Sequence, residues 1–158
     1  MIKKVISGGQ TGIDQAALFA AEDVGIRTGG RAPKYFKTST GFSYFLEQRF
    51  GLVDSGLDYS GRTELNVKNS DGTLQIAFDF NSPGEKCTTK FINKHNKPVY
   101  KLPLPIEEKE YMIIEIIEWI KANDVEVLNI AGNRQTRSRD SYGVGFNFLT
   151  SLFQQTLL

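Results

Sequence analysis

The first fourteen residues constrain the fold more than any other stretch. Ile2-Lys3-Lys4-Val5-Ile6 is a short, β-branched apolar run that stops at Ser7-Gly8-Gly9; Gln10-Thr11-Gly12 then leads into Ile13-Asp14. Residues 2–7 read as a buried strand. Residues 12–24 read as a helix, with Ile13, Ala17, Ala20 and Val24 recurring on one face and Gly25 marking its end. Asp14 falls in the first turn, where the helix dipole favours a negative charge. A buried strand feeding a helix through a glycine-rich loop is the opening of a β-α-β unit. The first amides of such a helix have no partner within it, and together with the dipole they form an anion site, usually for phosphate. The loop is not a P-loop, because no Gly-Lys-Ser/Thr closes it. Its glycines at 8, 9 and 12 also miss the dinucleotide fingerprint.

The same alternation continues along the chain. Residues 26–40 read as irregular, a helical or coiled segment is expected around 42–50, and 50–53 read as a short strand. A helix is expected at 59–69, a strand at 73–78, a helix at 86–95 and a strand at 98–102. The strongest helix lies at 106–122, where Ile113, Ile116, Ile117 and Ile120 form a stripe. A strand at 125–131 is stopped by Gly132, and a final helix at 141–155 turns Phe146, Leu149 and Phe153 inward. Alternating strands and helices predict an α/β, Rossmann-like three-layer fold with a mainly parallel central sheet. With 158 residues and no repeat or linker, the chain reads as one ligand-binding domain over 1–158. Ligands of such sheets collect outside the carboxyl ends of the strands.

Charge and cysteine content exclude several classes. The formal net charge of +1 gives no electrostatic footprint for nucleic acid or membrane. No run reaches the length of a membrane span, and no signal-peptide pattern opens the chain. A single cysteine, Cys87, forbids an internal disulfide and fits a reducing, cytoplasmic setting. With one cysteine and one histidine, no metal site of Cys and His is expected. The width of the apolar face on the last helix (Phe146, Phe148, Leu149, Leu152, Phe153) predicts self-association into a homo-oligomer through it or a neighbouring helix.

Four strand-end segments carry candidate binding residues. In the first, Gly8, Gly9, Gln10, Thr11 and Gly12 form the expected anion loop; replacing Gly9 by Val is expected to abolish ligand retention and leave the fold intact. In the second, Gly29-Gly30-Arg31-Ala32-Pro33-Lys34, Arg31 is a candidate anion partner; a solvated loop explains it equally. In the third, Arg62 and Asn66 lie four apart on one helix face, Arg62 as an anion contact and Asn66 as its hydrogen-bonding neighbour. Asp71 there reads as a turn residue. In the fourth, Asn81-Ser82-Pro83-Gly84-Glu85-Lys86-Cys87-Thr88-Thr89, Gly84 and Thr88 belong to a second helix start that points its amides at the ligand; an ordinary N-cap by Ser82 or a neighbour is the alternative. Cys87 reads as packing, and His95 as a helix-end residue. Gly132-Asn133-Arg134 follows the last strand within reach of the same crevice. No catalytic constellation emerges, so a non-catalytic binding protein is expected.

Taken together, Ser-Gly-Gly-Gln-Thr-Gly-Ile-Asp, Gly-Gly-Arg-Ala-Pro-Lys, Arg-Thr-Glu-Leu-Asn-Val-Lys-Asn-Ser-Asp-Gly-Thr, Ser-Pro-Gly…Thr and Leu-Asn-Ile-Ala-Gly-Asn-Arg occur in that order. They resemble the putative molybdenum carrier family, over roughly residues 3–150. The resemblance implies a compact Rossmann-like protein, usually oligomeric, that holds molybdenum cofactor or a related phosphorylated, nucleotide-like ligand without transforming it. It implies that Gly8 to Gly12 form the anion loop and that Arg31, Arg62, Asn66 and Thr88 line the same cleft. The lysine-decarboxylase-like phosphoribohydrolases are similar in fold. Their Pro-Gly-Gly-x-Gly-Thr-x-x-Glu helix start reads Pro83-Gly84-Glu85-Lys86-Cys87-Thr88-Thr89-Lys90-Phe91 here, without the second and third glycines or the final carboxylate. The alternative function, hydrolysis of a nucleoside monophosphate, then needs Glu64 or Asp71 as its acid/base group. A sensor of a nucleotide signal is a further alternative.

Overall fold

A computed structural model describes all residues, Met1–Leu158. Its centre is a five-stranded sheet of β1 (Lys4–Ile6), β2 (Arg27–Gly29), β7 (Gly72–Ala77), β8 (Val99–Pro103) and β9 (Val127–Gly132), in the order β2-β1-β9-β7-β8. Every pairing in it is parallel. This is the Rossmann-like, mainly parallel sheet expected from the alternation. The last strand in sequence lies in the middle, between β1 and β7. The chain therefore winds outward from β1 to β2 and from β7 to β8, and the directions part around β9. Such a parting leaves a crevice at the carboxyl ends of the strands.

The helices are α1 (Ile13–Asp23), α2 (Phe45–Phe50), α3 (Tyr59–Lys68), α4 (Pro83–Lys94), α5 (Lys109–Ala122) and α6 (Ser141–Thr156). The main core joins the sheet to α1, α5 and α6, with Val5, Leu74, Ile76, Leu128 and Ile130 from the strands packed against Ile13, Ala17, Ile113, Ile116 and Leu149. The helices α1 and α6 pack closely because residue 145 is glycine: a Cβ there would stand 2.8 Å from Ile13 Cδ1. Phe148, Leu149, Leu152 and Phe153 are all buried in this core, and Phe146 packs partly buried against it. The apolar width of α6 is thus used within the chain.

Residues 26–40, expected to be irregular, contain β2, β3 (Arg31–Ala32) and β4 (Lys37–Thr38). β2 is a three-residue edge strand, Arg27-Thr28-Gly29, with no apolar pattern to reveal it. β3 pairs with β6 (Val53–Asp54), and β4 with β5 (Gly41–Phe42). Together with α2 they build a small layer beside the sheet with its own core of Leu18, Ala32, Phe36, Leu46, Phe50 and Leu52. α4 starts at Pro83, three residues before the expected start, because proline at the first helical position needs no N–H partner. No helix is long and apolar enough to cross a membrane.

Candidate functional site

The crevice predicted by the strand order is a cleft of about 610 Å³. Gly8 after β1, Asp79 after β7 and Asn129 to Arg134 along and beyond β9 form its floor. Arg62 and Asn66 on α3 form one wall, and Gly84, Glu85 and Thr88 in the first turns of α4 form another. Three guanidinium groups (Arg62, Arg134, Arg139) and three carboxylates (Asp14, Asp79, Glu85) reach it.

The glycine loop behaves differently from expectation. Its amides were to stay open for an anion; instead the chain's own oxygens take them. Gly9 N–H donates to Ser7 Oγ at 3.3 Å, Gln10 N–H to Asp14 Oδ2 at 3.3 Å and Thr11 N–H to Gln10 Oε1 at 2.9 Å. Gln10 Oε1 also accepts from Ser39 N–H at 2.9 Å, and the Thr11 and Ser39 hydroxyls lie 2.6 Å apart. This loop therefore fastens the β4–β5 hairpin to the sheet. Of the five loop residues, Gly8 and Gln10 line the cleft, whereas Gly9, Thr11 and Gly12 do not. Gly9 has φ +74°, and a Cβ on it would meet Leu46 and Leu52 at 2.7 and 2.9 Å, inside the small core. Gly12, at φ +87°, faces the backbone of 133–135.

Positive charge reaches the floor of the cleft through Arg62. A Cβ at residue 8 would coincide with its guanidinium, so glycine there creates the space in which Arg62 lies. Arg62 Nη1 donates to Asp14 Oδ2 at 3.3 Å, with only 12% and 5% of the two side chains exposed. The face of Tyr59 lies 5.7 Å from the same guanidinium. Arg62 Nε is buried with no hydrogen-bond partner. Burial pushes the Asp14 carboxyl up from the ordinary value of 3.8, opposed by Arg62 and by backbone N–H groups. The pair is a guanidinium held in place by a carboxylate that itself resists ionisation.

The start of α4 is built around a carboxylate that the sequence suggested only as part of a helix start. Glu85 is 4% exposed. Its Oε2 accepts from the Ser82 hydroxyl and from Asn133 Nδ2, the latter at 2.8 Å. Asn133 Oδ1 in turn accepts from Phe78 and Asp79 N–H at 2.7 and 3.2 Å, which ties the loop after β7 to the end of β9. Ser82 sits at the N-cap but its hydroxyl donates to Glu85 instead of accepting a helix amide. Burial raises the Glu85 carboxyl above its ordinary 4.5; Ser82 and Asn133 oppose this, and the charge of Asp14 adds to it. The signal for these residues was Ser82-x-x-Glu85 together with Asn133 after the last strand.

The other expected residues have definite places. Asn66 clamps a backbone: its Oδ1 accepts from Arg31 N–H at 2.8 Å and its Nδ2 donates to Arg31 C=O at 3.0 Å. The amide of Asn66 thereby holds β3 against α3, and the Arg31 side chain does not line the cleft. Thr88 lines it, with its hydroxyl donating to Gly84 C=O at 3.1 Å. Gly84 is exposed at the rim. Glu64 pairs with Lys94 and His95 outside the cleft, and Asp71 Oδ2 accepts from Glu126 and Val127 N–H at the foot of β9, also outside it. Cys87 borders the cleft, half-buried against Val67, Phe91 and Ile92. His95 is the C-cap residue of α4.

A parallel sheet with a crevice at its parting strands, and with charged side chains reaching that crevice, defines a protein of Rossmann-like fold. The circularly permutated YpsA SLOG family matches residues 5–153, and the chain belongs to this family. The fold is also that of a crystal structure, at 1.45 Å resolution, described as a putative molybdenum carrier protein from Syntrophus aciditrophicus SB. The two share 35% identity and a TM-score of 0.87, over 96% of this chain and 94% of that one. Among curated proteins, none matches the chain.

Proposed function

We propose that this chain is a non-catalytic binding or carrier protein for a phosphorylated, nucleotide-like ligand, with molybdenum cofactor the leading candidate. The observation that carries this reading is Arg62: a guanidinium laid over Gly8, buried, with an unpaired Nε, at the floor of the 610 Å³ cleft. A terminal phosphate is the natural partner for such a planar donor. Arg134 and Arg139, which also line the cleft, add to the attraction. The structural relative described as a molybdenum carrier favours the cofactor as cargo. The cofactor's phosphate would meet Arg62 and its polar body the other side chains of the cleft. The chain has no group of three His, Cys, Asp or Glu side chains placed to hold a metal ion, so molybdenum would be carried inside its organic ligand.

The test is mass spectrometry of small molecules released from protein purified without denaturation. A phosphorylated pterin or nucleotide released by the wild type and missing from Arg62→Ala is the expected result. If none is released, and calorimetry with inorganic phosphate and with phosphorylated sugars shows no heat, the reading is wrong. The hydrolytic alternative has lost its two acid/base candidates, Glu64 and Asp71, from the cleft. Free base formed from a panel of nucleoside monophosphates would restore it.

A further inference from the structure

We infer that Glu85 is the specificity-determining residue of the cleft. Its free carboxylate oxygen takes a hydrogen bond from a hydroxyl on the sugar-like body of the ligand, while Arg62 on the facing wall takes the anionic end. This rests on the phosphorylated-ligand reading above and adds to it the group that separates a sugar phosphate from a bare phosphate.

The geometry of Glu85 is unusual for a residue at the third position of a helix. In the common reciprocal cap, the N-cap hydroxyl accepts a helix amide and the glutamate reaches back to the N-cap amide. Here the Ser82 hydroxyl and the Asn133 amide both converge on Oε2. No side chain donates to Oε1, and the carboxylate's further bond is from its own backbone N–H; Glu85 lines the cleft although it is only 4% exposed. No cation pairs with it: the cleft's buried ion pair is between Arg62 and Asp14. A buried carboxylate with one oxygen fixed by two side chains and the other met by no side chain has acceptor capacity for a further donor.

Three kinds of partner compete for that oxygen, and the surroundings decide among them. A phosphate fits poorly, because it brings acceptor oxygens to an acceptor that already complements the dipole of α4. A metal ion lacks a ligand set, since no group of three candidate ligating side chains exists. A neutral hydroxyl fits, because the groups that meet the Glu85 carboxylate are the neutral hydrogen-bonding side chains of Ser82 and Asn133. Arg62, Asp14 and Glu85 line one cleft of about 610 Å³, so an anion and a hydroxyl held there belong to one small molecule. A glycine at residue 85, as in the Pro-Gly-Gly start of the phosphoribohydrolases, would offer no such acceptor.

Calorimetry with inorganic phosphate and with ribose 5-phosphate tests this on the full chain. The wild type is expected to prefer ribose 5-phosphate by about tenfold, the size of one hydrogen bond to a charged group. In Glu85→Ala the ratio of the two affinities is expected to fall to near one. Glu64→Ala, the same charge change outside the cleft, is expected to keep it. If Glu85→Ala does not fold, Glu85→Gln replaces it; with its one carbonyl oxygen held by Ser82 and Asn133, that variant keeps the shape but presents a neutral NH2 where the charged acceptor stood, and should lower the ratio about threefold. A wild type that binds both probes equally, or a ratio unchanged in the Glu85 variants, overturns the role of Glu85 and leaves the anion site standing. A wild type that binds neither probe overturns the phosphorylated-ligand reading and this inference with it.

Discussion

Gly8 and Gly9 are neighbours in one loop, yet they serve opposite regions of the molecule. The Gly8 side opens on the cleft, where the missing side chain leaves room for Arg62 and its partner Asp14. The Gly9 side closes on the small core of Leu46 and Leu52, where a positive φ and close packing leave room for nothing. The first region holds charges in a cavity; the second is filled with apolar side chains. Substitutions on the two sides should therefore be separable, one reading out as affinity and the other as stability.

The largest effect is expected on the packed side. Gly9→Val places a β-branched residue at φ +74° and drives its Cβ into Leu46 and Leu52. Overpacking and a left-handed backbone together should cost about 3–5 kcal/mol. Denaturant unfolding checks this, and a midpoint close to that of the wild type would mean that the loop can turn its glycine outward. The earlier expectation, lost binding with an intact fold, does not suit Gly9.

On the cleft side, Arg62→Ala removes the buried cation. Affinity for inorganic phosphate should fall on the order of a hundredfold, corresponding to about 3 kcal/mol for a buried charged partner. Arg62→Lys should recover little, because a point charge does not reproduce a planar fork. Gly8→Ala is the milder version. Its methyl meets the far end of a flexible side chain, so Arg62 can swing aside. We expect a loss of about tenfold in phosphate affinity and less than about 1 kcal/mol in stability. Equal damage to stability from Gly8→Ala and Gly9→Val would erase the contrast between the two sides.

The contrast also explains what was legible in the chain. The strand, loop and helix of residues 4–23 follow from local chemistry, as do the buried β7 and β9 and the stripe of α5. The cleft's position follows from strand alternation. What did not follow was the use made of the loop. Whether the amides of Gly9, Gln10 and Thr11 face a ligand or Ser7, Asp14 and Gln10 depends on side-chain placement that spacing does not encode. Asn66 was seen on the face of Arg62, but its contact with the backbone of Arg31 lies 35 residues away in sequence. Glu85 was read as a departure from a glycine pattern, and its burial came only with the fold. β2 was invisible because an edge strand of three residues need not be apolar.

The smallest effect compares the two buried carboxylates. Glu85 and Asp14 both hold their protons more tightly in the native state than in the unfolded chain. For such a group the native state binds more protons than the unfolded state, so stability falls as pH rises from the unfolded value through the raised native one. For Glu85 the fall begins near its ordinary 4.5 and ends above the raised value. Glu85→Gln removes that penalty and keeps acceptor capacity for Ser82 and Asn133. The difference in melting temperature between variant and wild type should move in favour of the variant as pH rises through this window. Asp14→Asn also removes a buried carboxyl but leaves Arg62 without its partner, which costs more than the relief gives. Asp14→Asn should therefore be less stable than the wild type at neutral pH, where Glu85→Gln is not. Parallel curves for the two variants would show that Arg62 does not distinguish the carboxylates. A flat difference for Glu85→Gln as pH rises from its ordinary 4.5 would show that burial imposes no proton-linked cost at the start of α4.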